Sequence, residues 1–210
     1  MAAIEKLEAR PHGIGQLLGH RYIEVPPYQR AYSWTDDQIE DLFKDLSDAI
    51  RRKDVDYFLG TVVLTTNNEG GPHAVIDGQQ RLATVSILIC AIRNYFYSIG
   101  DSERGDGLHH DYLARKELRD LTETPHLKLI AGDNVCYEKS VLARPQPTQL
   151  KEGKVAKTFL PASHARLETA LKLATRHVAM LVQQTNDPTV LLFDWVDYLR
   201  YQAKAIVLEA

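Results

Sequence analysis

Between residues 74 and 96 the hydrophobic period of the chain changes abruptly. Ala74-Val75-Ile76-Asp77 has the β-branched content of a strand, Gly78 follows, and Leu82, Val85, Ile89, Ile92 and Phe96 then recur at alternating steps of three and four. That spacing predicts a helix beginning at about Gly78 or Gln79. The chain must therefore pass from strand to helix through one glycine, a junction that few residues other than glycine allow.

The elements before it are well punctuated. Ile14, Leu17 and Leu18 predict a short helix stopped by Gly19, and residues 22–25 a strand closed by Pro26-Pro27. Residues 28–34 show no amphipathic period and read as a connection. Thr35 with Gln38 forms a capping-box signature, Asp36 and Asp37 suit the first helical turn, and Ile39, Leu42, Phe43, Leu46 and Ile50 make one buried stripe. The acidic residues from 36 to 48 then form its solvated face. Residues 57–66 and 74–77, separated by glycine, proline and asparagine at 67–73, predict a hairpin.

Beyond the polar, glycine-containing stretch at 100–107 the pattern is mainly helical. Helices are expected over 113–121, 132–143, 161–184 and from Asp187-Pro188 to about 201, with a short strand over 126–130 and a mobile loop over 144–153. An apolar strand, Ala205-Ile206-Val207-Leu208, runs almost to the last residue, so the chain is expected to continue in a longer protein. The fold class this implies is mixed α/β (α+β), with a small mixed sheet followed by a mostly helical region.

Composition excludes several classes of function. A formal net charge of -3 provides no protein-wide positive field for DNA, so any DNA contact is local. The first ten residues carry regular charges and no apolar core, unlike a signal peptide, and the apolar run near Val85 to Ile92 is too short to span a bilayer. The expected location is the cytoplasm, with no membrane partner. Cys90 and Cys136 lack metal-knuckle or redox spacing and read as reduced core thiols, and the eight histidines read as surface residues without metal-ligand spacing.

Two clusters could carry chemistry. A helix start presents unpaired N–H groups and partial positive charge, so the Gly78 turn is an available anion cradle, with Arg81 able to add a bidentate contact and Gln79 and Gln80 amide hydrogen bonds. Asp77 could cap the helix, hold Mg²⁺ through water or orient an attacking water. Set against this is a plain turn, with Asp77 as N-cap and the other side chains solvated. The second cluster, Tyr28, Gln29, Arg30, Tyr32 and Trp34, suits stacking on a base beside a phosphate contact. Equally, its aromatics could pack on the following helix. The residues alone leave both alternatives open.

Three blocks, however, resemble a known family. Val25-Pro26-Pro27-Tyr28-Gln29-Arg30-Ala31-Tyr32-Ser33-Trp34, Tyr57-Phe58-Leu59-Gly60-Thr61-Val62-Val63 and Val75-Ile76-Asp77-Gly78-Gln79-Gln80-Arg81-Leu82-Ala83-Thr84 are similar, in order and spacing, to the signature blocks of the GmrSD-type restriction-enzyme N-terminal domain. The resemblance is specific over residues 14–97 and looser from 126 onward. Ala83 departs from the threonine that often follows the leucine. The resemblance implies a ParB/sulfiredoxin-like core over residues 1–100 that binds nucleotide, a helical insertion or subdomain over 101–203 and a returning core strand over 204–210.

It further implies a nucleoside triphosphate with Mg²⁺ as cofactor. Asp77, Gln80 and Arg81 are the expected catalytic residues, and Gly78, Gln79, Gln80, Arg81 and Thr84 the nucleotide contacts. Asp77 is the water-mediated metal ligand, and Tyr28, Gln29, Arg30, Tyr32 and Trp34 face DNA or nucleotide. The implied partners are DNA, modified or unmodified, and an HNH-type nuclease domain or subunit, since no HNH motif stands in this chain. The rival reading is a non-catalytic module that senses DNA or its modification; a scaffold without chemistry is a weaker third.

Overall fold

The structure, a computed structural model, describes residues 8–65, 71–117, 119, 121–145 and 161–209. Its architecture is mixed α/β, and α3 (Gln79–Ser98) lies at its centre. The expected stripe from Leu82 to Phe96 is buried, but so are Ala83, Thr84, Ser86, Ile87, Leu88, Cys90, Ala91 and Arg93 between those positions. A helix with no solvated face must be wrapped on all sides. α6 (Ala162–Gln183), α4 (Ser102–Leu108) and α1 (Ile14–His20) pack against it, and buried residues from all of them share one apolar cluster with the sheet.

Six strands form that sheet. In spatial order they are β1 (Glu8–Gly13), β8 (Ala203–Glu209), β3 (Tyr57–Leu64), β4 (His73–Asp77), β2 (Ile23–Glu24) and β7 (Leu127–Lys128). The expected hairpin is present as antiparallel β3 and β4; part of its connection lies outside the described residues. The terminal strand β8 is interior, parallel to β3 and antiparallel to β1, and β2 runs parallel to both β4 and β7.

Most of the helical punctuation is observed. In α2 (Asp36–Arg52) both halves of the Thr35–Gln38 capping box form, and the acidic face is solvated. In α7 (Pro188–Tyr201) the Asp187 carboxylate accepts from the Val190 N–H. The 132–143 helix is present as α5 (Ala131–Cys136) continuing into a π-helical turn, Tyr137–Leu142.

The helix expected over 113–121 is not formed. A π-helical turn at His109–Leu113 gives way to β5 (Ala114–Lys116), which pairs antiparallel with β6 (Glu123–Pro125). The Leu113 carbonyl accepts from the His126 N–H, and Leu121 adopts φ 60° between the two strands, so backbone pairing replaces the helical ladder. α4 and β1 had no sequence signal. The loop expected at 144–153 lies almost wholly outside the described residues. Both cysteines are buried thiols, and burial pushes Cys90 up to about 11.

The surface assignment of the histidines needs correction. His109 and His126 are buried, and His177 is half-buried between the rings of Phe43 and Trp195, each 5.1 Å away. His109 Nδ1 lies 2.9 Å from Nη1 of Arg93, a guanidinium with no exposed surface that also donates to the carbonyls of Val141, Leu142 and Ala143 at 2.7–3.1 Å. The guanidinium has donors only, so the imidazole must present a lone pair and remain neutral. Burial, then Arg144 and Arg93, hold His109 down to about 4, and burial alone holds His177 there.

These depressed values give stability a direction in pH. The unfolded chain, with ordinary imidazoles near 6.5, takes up protons before the folded chain does. The contribution is complete above about pH 6.5 and is lost as pH falls from there toward 4. His177→Leu is expected to reduce the steepness of that loss, while leaving the melting temperature above pH 7 comparatively unchanged. Thermal melts at successive pH values check this; equal slopes for both proteins would contradict it.

Candidate functional site

Gly78 decides where the site lies. It adopts φ +90°, and a Cβ there would stand 2.8 Å from Val62 Cγ2 and 3.1 Å from the Thr61 carbonyl oxygen. Both the left-handed backbone and the close approach of β3 therefore require glycine. Asp77 is not the N-cap, as one reading allowed; Gly78 holds that position, and no side chain caps α3. The first N–H groups of a long buried helix thus open toward the carboxyl ends of the parallel strands β2 and β4.

A cleft of about 340 Å³ lies there, lined by Gln29, Arg30, Trp34, Ile76, Asp77, Gly78, Gln79, Gln80 and Arg81. The two clusters legible in the sequence meet across it. Side-chain amides join them: Gln29 Nε2 donates to the Ile76 carbonyl at 2.8 Å, and Gln79 Nε2 donates to Gln29 Oε1 at 3.3 Å. Gln80 engages both ends of its amide with the loop, Oε1 accepting from the Ser33 N–H at 2.9 Å and Nε2 donating to the Ala31 carbonyl at 3.3 Å.

Not every expected residue reaches the cleft. Thr84 is fully buried behind it, its hydroxyl donating to the Gln80 carbonyl at 2.9 Å. With that proton committed, the Tyr32 hydroxyl donates to Thr84 Oγ1 at 2.8 Å, and burial pushes Tyr32 up to about 12. The Tyr32 N–H donates to Asp133 Oδ2 at 2.7 Å. Tyr28 stands outside the lining, 73% exposed. Ala83 faces a hollow of only about 10 Å³ behind the loop.

Two residues that sequence reasoning did not single out shape the site. Asp133, in the first turn of α5, anchors the loop from the far side; its legible signal was a carboxylate in the first turn of an expected helix. Gly60 lies in an irregularity of β3 at φ +106°, and a Cβ there would be 3.0 Å from the guanidinium carbon of Arg81. The bare glycine backbone lets Arg81 lie over β3, where Nη1 donates to the Thr61 carbonyl at 3.3 Å.

The donor set suits an oxyanion: helix N–H groups, the guanidinium groups of Arg30 and Arg81 and amide N–H groups, with Asp77 as an exposed carboxylate at the rim. Among the described residues no group of three or more histidine, cysteine, aspartate or glutamate side chains could hold a metal ion by itself. A lone carboxylate fits a metal that arrives with its ligand's phosphates and keeps several waters, as Mg²⁺ does.

Residues 14–192 match the family described as GmrSD restriction endonuclease, N-terminal domain, and that span contains both clusters, Gly60 and Asp133. The chain belongs to that family. It is thereby placed among restriction proteins of phage defence. No curated protein matches the chain. Among the described residues of this GmrSD-type domain, no helix is long and apolar enough to cross a membrane.

Gly78→Ala is expected to lower unfolding free energy by about 1–3 kcal/mol, the range for a side chain forced into left-handed backbone, with the contact to Val62 adding to it. Urea denaturation measures the difference; an unchanged midpoint would show that β3 and the turn relax freely.

Proposed function

We propose that this domain binds a nucleoside triphosphate with Mg²⁺ in the Asp77–Arg81 cleft and hydrolyses it, licensing a nuclease carried elsewhere in the restriction protein. The observation that carries this reading is the uncapped start of α3 opening into a polar cleft with a guanidinium on one side and a carboxylate at the rim. Its volume falls within the range of small-molecule sites. A nucleotide-binding, ParB-like core is consistent with this placement at the strand ends.

On this reading the backbone N–H groups of Gln79, Gln80 and Arg81 receive phosphate oxygens, favoured by the helix dipole. Arg81 neutralises charge on the transferred group, and Asp77 orients the water that attacks the terminal phosphorus as the bond to the bridging oxygen breaks. Mg²⁺ would supply further charge neutralisation, with Asp77 holding it through water. Gln80 acts through the loop it grips, as do Tyr32 and Thr84, so these are positioning residues. Trp34, half-buried at the cleft wall, offers a stacking face for the base.

A restriction protein acts on DNA, and exposed Tyr28 beside exposed Arg30 favours a contact larger than a nucleotide at this rim. This supports a second reading, in which the loop senses DNA or its modification and nucleotide is a switch or absent.

Calorimetric titration of the chain with ATP, GTP, CTP and UTP in the presence of Mg²⁺ tests the first reading. Arg81→Ala is expected to weaken binding at least about tenfold, the scale of a lost charge-assisted hydrogen bond. Asp77→Asn is expected to bind yet release phosphate more slowly. Unchanged affinity and turnover in Arg81→Ala would remove the nucleotide from this cleft. Loss of DNA binding in Gln29→Ala, with turnover intact, would favour the sensing reading.

A further inference from the structure

A second polar hollow, of about 240 Å³, lies at the opposite end of β2 from the cleft. Tyr22, just before the strand, lines it, whereas the cleft is built from the loop that follows the strand. Three arginines distant in sequence line the hollow: Arg21 after α1, Arg115 on β5 and Arg200 near the end of α7. Asp111 is the carboxylate in that lining, and its oxygen lies 3.3 Å from His110 Nδ1. Bringing three guanidinium groups to one concave surface, in a chain of net charge -3, concentrates positive potential there.

The packing that brings them together is specific. α1 carries glycines one helical turn apart at its contacts with the neighbouring elements. A Cβ on Gly15 would stand 3.1 Å from Arg200 Cα, and one on Gly19 would stand 2.8 Å from the Asp111 carbonyl oxygen. These two glycines let α7 and the π-helical turn approach α1 closely enough to enclose the hollow. The wall from His109–Leu113 is itself a π-helical turn, a distortion that occurs frequently at functional sites.

The phenols of Tyr22 and Tyr112 stand beside Arg115 and Arg200 respectively. Carboxylates lie near them as well: Glu117 accepts from the Tyr22 hydroxyl at 3.0 Å, and Asp111 and Asp197 lie close enough to Tyr112 to act on it, so the three guanidinium groups are partly offset. His126, buried in the lining, has Nδ1 2.6 Å from the Leu18 carbonyl; that nitrogen must be the donor, which leaves Nε2 as its second polar atom.

We propose that this hollow is a second oxyanion site, separate from the cleft, that takes a phosphate group between Arg21, Arg115 and Arg200. Guanidinium groups match phosphate geometry through paired N–H donors, and convergence from three elements fixes where the group sits. The same chemistry is offered by a free phosphate compound and by a backbone phosphate of DNA.

Pyrophosphate and a short DNA duplex, each titrated at low salt into the 210-residue chain and into Arg115→Ala, Arg200→Gln and Arg81→Ala, test the proposal. Arg115 is exposed, so its variant preserves the core; melting curves check Arg200→Gln. Saturable binding of either probe, weakened about tenfold or more in Arg115→Ala but retained in Arg81→Ala, supports the site, and the probe that responds identifies the source. Equal binding by the chain and Arg115→Ala overturns it, as does the absence of saturable binding by both probes. Loss confined to Arg81→Ala assigns the phosphate to the cleft and also overturns it.

Discussion

Everything in this domain is arranged around a helix that has no face for water. α3 buries apolar residues around its whole circumference, so sheet and helices must enclose it, and its ends are where it meets solvent. At the amino end the enclosure stops at Gly78, and the unpaired N–H groups of the first turn open into the cleft. The burial that stabilises the fold and the uncapped N–H groups that face the cleft are therefore two consequences of one element. Gly78 and Gly60 matter because side chains at either position would meet β3 or Arg81 at that exit.

The loop of residues 28–34 is held by an interlocked set of hydrogen bonds. Gln29 and Gln79 tie it to β4, Gln80 grips two of its backbone groups, and Tyr32 is fixed between Thr84 and Asp133. Buried donors and acceptors left unmade are expensive, so such a set resists partial opening. The polar residues of the two signature blocks thus divide in role. Gln80, Tyr32 and Thr84 are turned inward to define the wall, while Arg30, Trp34, Asp77 and Arg81 line the cleft.

The carboxyl-terminal half completes this core. Arg93, fully enclosed, holds the carbonyls that end the π-helical turn at Tyr137–Leu142, and the adjoining α5 supplies Asp133 to the loop. The buried guanidinium thereby helps join α3 to the segment that anchors the loop from behind.

Local chemistry was sufficient for several features. The capping box at Thr35, the Asp187 cap and the strand–Gly78–helix junction were legible, because residues within a few positions of one another determine each; the two polar clusters were each legible, but their meeting rests on contacts 47–50 residues apart. What needed contacts distant in sequence was not. β1 has a strand's conformation only because β8 pairs with it, and residues 113–121 lose their helix to the pairing of β5 with β6. Gly105 sits inside α4 where a side chain would meet the ring of Tyr97 at 2.7 Å, a reason invisible in a polar, glycine-containing stretch. His109 and His126 read as surface residues by type, yet the one is buried against the Arg93 guanidinium 16 residues away and the other against the Leu18 carbonyl 108 residues away. The sequence by itself determined which residues make the turns, the caps and the glycine junction at the start of α3, since those depend on local backbone geometry. Only the tertiary structure decided which polar side chains face the cleft and which are consumed in holding it, because that depends on hydrogen-bond partners brought together by packing.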